Sequence, residues 1–211
     1  MNERINVYQN LKSPTVKSTI TFEDWISQIQ SSSLSVEIEN ARETMTKDEL
    51  DEFKANFPCV TYNFLYDGYK NDKNNLVAST GLLYIDIDIH DFETESLDLS
   101  KVYCAYRSFS GKNCSVVVKS DGITKNNFKE SYFNICEQLG ISSAVDKIAV
   151  KASQFSVLSY DKNLFYNPTA SIFHVFEKDP RPQYMLLLPM LQTTGCVLNL
   201  MPVINELGLI I

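Results

Sequence analysis

The hydrophobic positions in the first quarter of the chain follow the spacing of amphipathic helices. Four apolar side chains recur on one helical face: Phe22, Trp25, Ile26 and Ile29. Thr21 can cap this helix, and Asp24, three residues later, is a weaker variant of the capping-box partner. In "TMTKDELDEFKANFP", Thr46 can cap, Glu49 is the reciprocal residue and Pro58 marks the end. The pattern therefore predicts two N-terminal helices.

From Cys59 onward the pattern is typical of short strands. Five segments are rich in β-branched and aromatic residues: "CVTYNFLY", "GLLYIDIDI", "KVYCAYRSFS", "CSVVVKS" and "QFSVLSY". One further helix is predicted in "GITKNNFKESYFNICEQLG", where apolar residues recur at helical spacing and Gly140 suits the C-terminal end. Strands mixed with flanking helices predict an α+β fold with a single, mainly antiparallel sheet.

This pattern divides the chain into three parts. We expect a helical N-terminal portion over residues 1–58, a sheet-containing core over residues 59–180 and an apolar tail over residues 181–211. The segment "QYMLLLPMLQTTGCVLNLMPVINELGLII" within the tail is apolar but is interrupted by Pro189, Gly195 and Pro202. Two interpretations stay open: the tail packs on the core, or it docks on another subunit or partner.

Composition narrows the class of protein. Of the 211 residues, 44% are hydrophobic, which is enough for a packed core. The net charge of −7 argues against a protein that coats nucleic acid, although a small local basic groove remains compatible with it. The five cysteines form no CxxC pair, which is typical of a reduced, cytoplasmic protein. We expect no signal peptide and no membrane span, because no long apolar segment is present.

The segment "GLLYIDIDIHD" places two carboxylates within an apolar run. Alternation along a strand puts Asp86 and Asp88 on one face and Ile85, Ile87 and Ile89 on the opposite face, toward the core. Two neighbouring carboxylates repel each other unless a proton or cation lies between them. They could therefore bind Mg²⁺ or Mn²⁺. The alternative is an ordinary strand with one solvated face.

Two further stretches could contribute to such a site. Asp146, which follows the predicted helix, could return a third carboxylate to the same face, or it could be an ordinary loop residue. The turn Ser110-Gly111-Lys112-Asn113 offers backbone N–H groups, a hydroxyl and a positive charge that could hold a phosphate. A plain hairpin turn explains the same residues.

The chain has two histidines, which limits the catalytic chemistry that it can support. His90 falls on the face of Asp86 and Asp88 by alternation, where it is a candidate ligand or a surface residue at the end of a strand. His174 stands alone in "SIFHVF" and is interpreted as structural. Ser–His–Asp or Cys–His catalysis therefore has little support.

Taken in order, these stretches resemble a known family. The sequence is similar to the VirE-type N-terminal domain, a relative of the archaeo-eukaryotic primase or primase-polymerase superfamily. The likeness covers roughly residues 5–175 and is carried by "GLLYIDIDIHDF", "AYRSFSGKNCSVVVK" and "AVDKIAVKASQFSVLSYDKNLFYNPTA". "FKANFPCVTYNFLYDG" fits the family's entry into its first core strand. The resemblance implies a primase-polymerase-like, RRM-like core.

The resemblance also implies roles for individual residues. It assigns Asp86, Asp88 and Asp146 as catalytic residues that bind Mg²⁺ or Mn²⁺. It assigns five residues to nucleotide binding: Ser110, Gly111, Lys112, Ser115 and Gln154. Ser115 stands where the family usually has a histidine, and Gln154 stands where it usually has an arginine. Neither replacement is charged, so triphosphate binding should be weaker unless lysines such as Lys112, Lys147 or Lys151 compensate.

Three functions remain open at this point. The first is metal-dependent nucleotidyl transfer on a single-stranded template, in an attenuated form, during replication of a mobile element or phage. The second is a catalytically degenerate relative that binds nucleotide, nucleic acid or a replication partner. The third is a structural or virion-associated protein that reuses the fold. A helicase, if one acts here, would be a separate protein, and a homo-oligomer could form through the C-terminal tail.

Overall fold

The computed structural model describes residues 3–31, 33–70, 72–90, 92–145 and 150–175. The helices within these ranges are α1 (Phe22–Ser31), α2 (Ser35–Thr44), α3 (Lys47–Lys54) and α4 (Phe128–Gln138). The first strands are β1 (Arg4–Tyr8), β2 (Ser18–Thr21), β3 (Cys59–Thr61), β4 (Phe64–Tyr66), β5 (Leu76–Ser79) and β6 (Leu82–Ile87). The remaining strands are β7 (Cys104–Arg107), β8 (Cys114–Asp121), β9 (Ser156–Val157), β10 (Phe165–Tyr166) and β11 (Ile172–His174). The predicted tail over residues 181–211 lies outside the described residues.

A five-stranded sheet is arranged around β8. β6 pairs with one edge of β8 in antiparallel register, from Leu82 opposite Lys119 to Ile87 opposite Cys114. β7 and then β11 pair with the other edge, and β10 extends the sheet beyond β7. The β8–β11 pair is parallel, whereas the other strand pairs of the described residues are antiparallel. The mixed α+β class is therefore confirmed.

The prediction of a single sheet is wrong, because the described residues form three sheets. A second sheet has the order β2-β1-β3-β9, and β4 pairs with β5 in a third. The segment predicted as one strand, "CVTYNFLY", is divided at Tyr62-Asn63. Asn63 is buried and accepts a hydrogen bond from the Tyr84 N–H at 2.8 Å, so its side chain faces the five-stranded sheet. This turn directs β3 and β4 into different sheets.

The N-terminal portion contains more than helices. β1 and β2 precede α1, and β1 pairs with β3 across the expected boundary at residue 58. The two predicted helices are present as α1 and α3, with Thr21 accepting from the Asp24 N–H at 3.1 Å and a capping box between Thr46 and Glu49. α2 is an additional helix that the pattern did not predict, since only Ile38 and Ala41 are buried on it.

The end of α4 follows the prediction closely. Gly140 has a φ of +74° and donates its N–H to the carbonyl of Glu137, and Ile141 donates to Cys136. These two bonds form a Schellman motif, which satisfies the last carbonyls of the helix. None of the described helices is both long and apolar enough to span a membrane.

Both faces of β6 contact a hydrophobic core, which differs from the expected open face. Leu83, Ile85 and Ile87 lie in the cluster that includes α4 residues, and Leu82 and Tyr84 lie in the cluster that includes α1 residues. The face that carries Asp86 is therefore covered along most of its length. The expected core position of Ile89 is wrong: the strand ends at Ile87, and Ile89 is 42% exposed.

A buried arginine connects α2 with the segments around the β7–β8 turn. The side chain of Arg42 is 4% exposed, and each of its five N–H groups donates a hydrogen bond. Its acceptors are the carbonyls of Ser108, Phe109 and Tyr160, the hydroxyl of Ser159 and the carboxylate of Glu39, at 2.8–3.0 Å. This arrangement requires the planar fork of a guanidinium.

We expect Arg42→Lys to lower the free energy of unfolding by about 3 kcal/mol, because one ammonium leaves several buried acceptors without donors. The control is Arg107→Lys, since the Arg107 side chain is 52% exposed, and its effect should stay within about 0.5 kcal/mol. Urea denaturation of both variants measures the difference. Equal, small effects of the two substitutions would show that the Arg42 contacts contribute little.

Candidate functional site

Three neighbouring strands bring Asp86 beside polar residues of the same sheet. Asp86 of β6 lies opposite Ser115 of β8, and Ser115 lies opposite Tyr106 of β7. The three side chains lie on one face because cross-strand partners share a face. Between this polar end and Lys119 at the other end of β8, the face is apolar, since Leu82 and Val117 of the same strands belong to the hydrophobic core.

A network of hydroxyl groups surrounds Ser115. The hydroxyls of Ser115 and Tyr84 share a hydrogen bond of 3.0 Å. Tyr106 hydrogen bonds with Tyr62 at 2.9 Å and with Ser156 at 2.8 Å. Ser156 belongs to β9, so this network connects the five-stranded sheet to the second sheet. Burial raises the pKa of Tyr84 and Tyr106, so both hydroxyls stay protonated at neutral pH.

A cavity of about 260 Å³, called here the smaller cavity, opens beside this network. Three of the residues predicted from the sequence line it: Asp86, Ser110 and Ser115. The other lining residues are Leu11, Lys54, Tyr84, Tyr106, Ser108, Phe109, Asn113, Phe155, Ser156 and Val157. The cavity thus combines a carboxylate, a cation, several hydroxyls and an apolar portion, as small-molecule sites usually do.

Asp86 is held in an environment that disfavours its ionised form. Burial and, secondarily, the nearby Asp88 carboxylate raise its pKa above the ordinary value, and Lys54 opposes the shift. Among the described residues, no side chain or backbone group donates a hydrogen bond to the Asp86 carboxylate. Asp86 is partly buried, and a carboxylate that is partly withdrawn from water without a donor among the described residues is costly, which points to a binding role.

Asp88 lies one residue beyond the end of β6 and is exposed. Its carboxylate accepts a hydrogen bond of 2.6 Å from the side-chain amide of Asn113, and its N–H donates to the carbonyl of Ala144. Ile87, between the two aspartates, forms an antiparallel bridge with Val145. Asp146, the next residue in the chain, lies outside the described residues.

The donor set at this end of β6 is compatible with a hard divalent cation but is incomplete. Asp86 and Asp88 supply carboxylate oxygens, and the buried Oδ1 of Asn113 has no hydrogen-bond partner within the described part of the chain. Mg²⁺ commonly binds proteins through one or two carboxylates together with waters and substrate phosphates. Within the described ranges, no group of three or more His, Cys, Asp or Glu side chains is arranged to hold a metal ion. The described residues therefore supply two carboxylates toward such a site.

A second cavity of about 820 Å³, called here the larger cavity, lies beside the turn between β7 and β8 and shares Tyr106 and Asn113 with the smaller one. Ser110 lines the smaller cavity, whereas Gly111 and Lys112 line the larger one together with Arg107. Gly111 has a φ of +73°, and a Cβ there would lie 2.9 Å from Arg107 Nη2. The positive φ therefore favours glycine at this turn, and Lys112, the next residue, is absent from the lining of the smaller cavity.

The remaining predicted residues lie apart from the smaller cavity. Gln154 is partly buried, and its backbone N–H donates to the carbonyl of Lys151. His90 is exposed, and His174 lies 3.7 Å from Asp121 on the surface. Lys151 is exposed, and Lys147 lies outside the described residues.

Sequence reasoning missed Lys54, Tyr84 and Tyr106 as parts of the site. The alternation that placed Asp86 on its face also placed Tyr84 there, so this tyrosine could have been found. Lys54 is at the end of α3, and no local pattern relates it to a strand about thirty residues later. Comparison with protein-family models, curated proteins and solved structures finds no match for this chain.

The raised pKa of Asp86 predicts a pH-dependent effect of removing its charge. The folded protein binds the Asp86 proton more tightly than the unfolded chain, so this residue destabilises the fold as pH rises through the raised pKa. We expect Asp86→Asn to be more stable than the wild type at neutral pH. The difference should shrink below about pH 4, where the aspartate is protonated in both states.

Urea denaturation at neutral and acidic pH measures this difference. Asp88→Asn is the matched control: it should lower the pKa of Asp86 by removing the adjacent charge, which NMR titration of the Asp86 carboxyl would detect. If Asp86→Asn changed stability equally at both pH values, the charge of Asp86 would not be the cause.

Proposed function

We propose that this chain is a primase-polymerase-like module that binds a nucleotide in the smaller cavity and carries out attenuated, metal-dependent nucleotidyl transfer. The observation that carries the proposal is that Asp86, Ser110 and Ser115 line one cavity. The resemblance assigns these residues to the metal and nucleotide sites on sequence motifs alone. Their common cavity is an independent reason to treat them as one site.

The chemistry of the cavity suits a phosphate that arrives with a cation. Asp86 and Asp88 would hold Mg²⁺ or Mn²⁺, which would relieve the repulsion between the carboxylates. When bound, such a cation neutralises developing charge on the phosphoryl oxygens and orients the attacking hydroxyl. Ser110 offers a hydroxyl at the same cavity, and Tyr84, Tyr106 and Ser156 line it with hydroxyls that are already hydrogen bonded.

Attenuation is proposed because the expected cationic contacts are absent from their usual positions. Ser115 stands at the position of the expected histidine, and its hydroxyl is engaged with Tyr84. Gln154 stands at the position of the expected arginine and is neutral. Lys112 lines the larger cavity rather than the smaller one. Each missing charge-assisted hydrogen bond weakens phosphate binding by about 1.5–3 kcal/mol.

A second function, binding without catalysis, is favoured by the electrostatics of Asp86. Its raised pKa and the two carboxylates supplied by the described residues would suit a degenerate site that holds a nucleotide without activating it. In either case the proposed setting is replication of a mobile element or phage, with a single-stranded nucleic acid as the further ligand.

We expect nucleoside triphosphate binding that depends on Mn²⁺ or Mg²⁺. Asp86→Asn and Asp88→Asn should each weaken it at least about tenfold, because each removes a charged oxygen ligand. Calorimetric titration with and without the cation measures the effect. Asp121→Asn, at the end of β8 on the same sheet, is the control and should bind as the wild type does.

Primer extension on a single-stranded template separates the two functions. Extension or dinucleotide synthesis that is lost in both aspartate variants supports nucleotidyl transfer. Binding without any synthesis, beside an active control polymerase, supports the degenerate alternative. If the wild-type protein bound no nucleoside triphosphate with either cation, both functions would be rejected.

A further inference from the structure

Among the described residues that line the smaller cavity, Lys54 supplies the positive charge. It lies in the last turn of α3, and its side chain is 35% exposed. Its charge also reaches Asp86, where it opposes the upward shift of the pKa. A cation within electrostatic range of the carboxylate is therefore already part of the site.

Two further lysines lie close to the lining residues. Lys12 follows Leu11, which lines the cavity, and its ammonium is 3.4 Å from the side-chain oxygen of Asn56, just beyond α3. Lys70 lies over the ring of Phe155 at 3.7 Å from the ring centre. The chain carries a net charge of −7, yet three lysines, Lys12, Lys54 and Lys70, lie at or next to the lining of this cavity. Such a local field attracts anions.

The same cavity has an apolar portion with ordered aromatic rings. Phe109 packs edge-on against Phe57 at 5.0 Å, and Phe155 packs edge-on against Tyr8 at 4.7 Å. Leu11 and Val157 complete the apolar lining. A ligand that matches the whole cavity therefore has a flat apolar group and an anionic group, which are the two parts of a nucleotide.

The simpler explanation for Lys54 is local to its helix. It forms an ion pair with Asp51 at 2.5 Å, and a lysine in the last turn interacts favourably with the helix dipole. Neither role requires Lys54 to line a cavity with Asp86. The ion pair is exposed, with Asp51 48% accessible, so it is weak enough to exchange for a phosphate.

We propose that Lys54 is the phosphate-binding cation of the smaller cavity, in place of Lys112, and that the base of the nucleotide lies against Phe109 and Phe155. This inference rests on the proposed function, since it names the residues that contact the same ligand. In this arrangement Lys54 of α3 supplies the positive charge that binds the phosphate. Ser115 and Gln154, at the positions where the family has a histidine and an arginine, can therefore be uncharged.

The test compares Lys54→Gln with Lys54→Arg and Lys112→Gln. Affinities for the common ribo- and deoxyribonucleoside triphosphates are measured with Mn²⁺, together with affinities for the matching nucleosides and for Mn²⁺ alone. Lys54→Gln should weaken triphosphate binding at least about tenfold, the effect of one charged hydrogen bond. Lys54→Arg should stay within about threefold of the wild type, because it keeps the charge and the donors.

The other arms separate a direct contact from a structural effect. Lys54→Gln should leave nucleoside affinity unchanged, because a nucleoside has no phosphate. It should not weaken Mn²⁺ binding, because it removes a positive charge near Asp86 that would repel the cation. Lys112→Gln should change triphosphate affinity less than about twofold, as expected of a surface charge. Thermal unfolding confirms that each variant is folded.

Two results would overturn the inference and leave the proposed function intact. In the first, the wild type binds triphosphate and Lys54→Gln binds it with the same affinity. In the second, only Lys112→Gln loses triphosphate affinity, which would place the phosphate in the larger cavity. A wild-type protein that binds Mn²⁺ but no triphosphate would reject the proposed function together with the inference.

Discussion

The five hydrogen bonds of the Arg42 guanidinium determine the geometry on which both cavities depend. They join α2 to the carbonyls of Ser108 and Phe109, at the start of the β7–β8 turn, and to Ser159 and Tyr160. Because most of these acceptors are backbone atoms, the contacts fix the path of the chain rather than the position of side chains. A change in that path would move Ser110 relative to Asp86 and would alter the division between the cavities.

The polar end of β6, which is partly buried, differs from the core beside it. Towards Leu82 the same face is packed with aliphatic and aromatic side chains, and the hydroxyls of Tyr62, Tyr84 and Tyr106 all have hydrogen-bond partners. At Asp86 the packing stops and a carboxylate remains without a donor. The fold keeps this unfavourable feature where three strands and α3 converge, which is the arrangement expected of a site shaped by binding rather than by stability.

The features that the sequence predicted correctly depend on local chemistry. The caps at Thr21 and Thr46 and the Schellman motif at Gly140 are determined within a few residues, as is the alternation of β6. The features that it missed depend on distant contacts. α2 buries only Ile38 and Ala41 and is held by Arg42, four of whose five acceptors lie more than sixty residues away in the sequence.

The residues of the candidate site also fall into those that the sequence pattern could predict and those that depend on distant contacts. Pairing of β6 with β8 made the proximity of Asp86 and Ser115 predictable once the strands and their connecting turns were identified. The place of Lys112 in the lining of the larger cavity was not predictable, because the preceding Gly111 has a left-handed conformation and lies against two arginines, one from a distant part of the sequence and one from beside the turn. Tertiary contacts alone bring Lys54 to the cavity.

The Tyr106–Ser156 hydrogen bond has a consequence for the dynamics of the molecule. It joins the five-stranded sheet to β9 of the second sheet, and residues of both sheets line the smaller cavity. A molecule bound there would act as a cross-link between two sheets that otherwise meet through side chains. Such a cross-link would couple the opening of β9 to that of the end of β6, so the two strands would exchange their amide hydrogens as one cooperative unit.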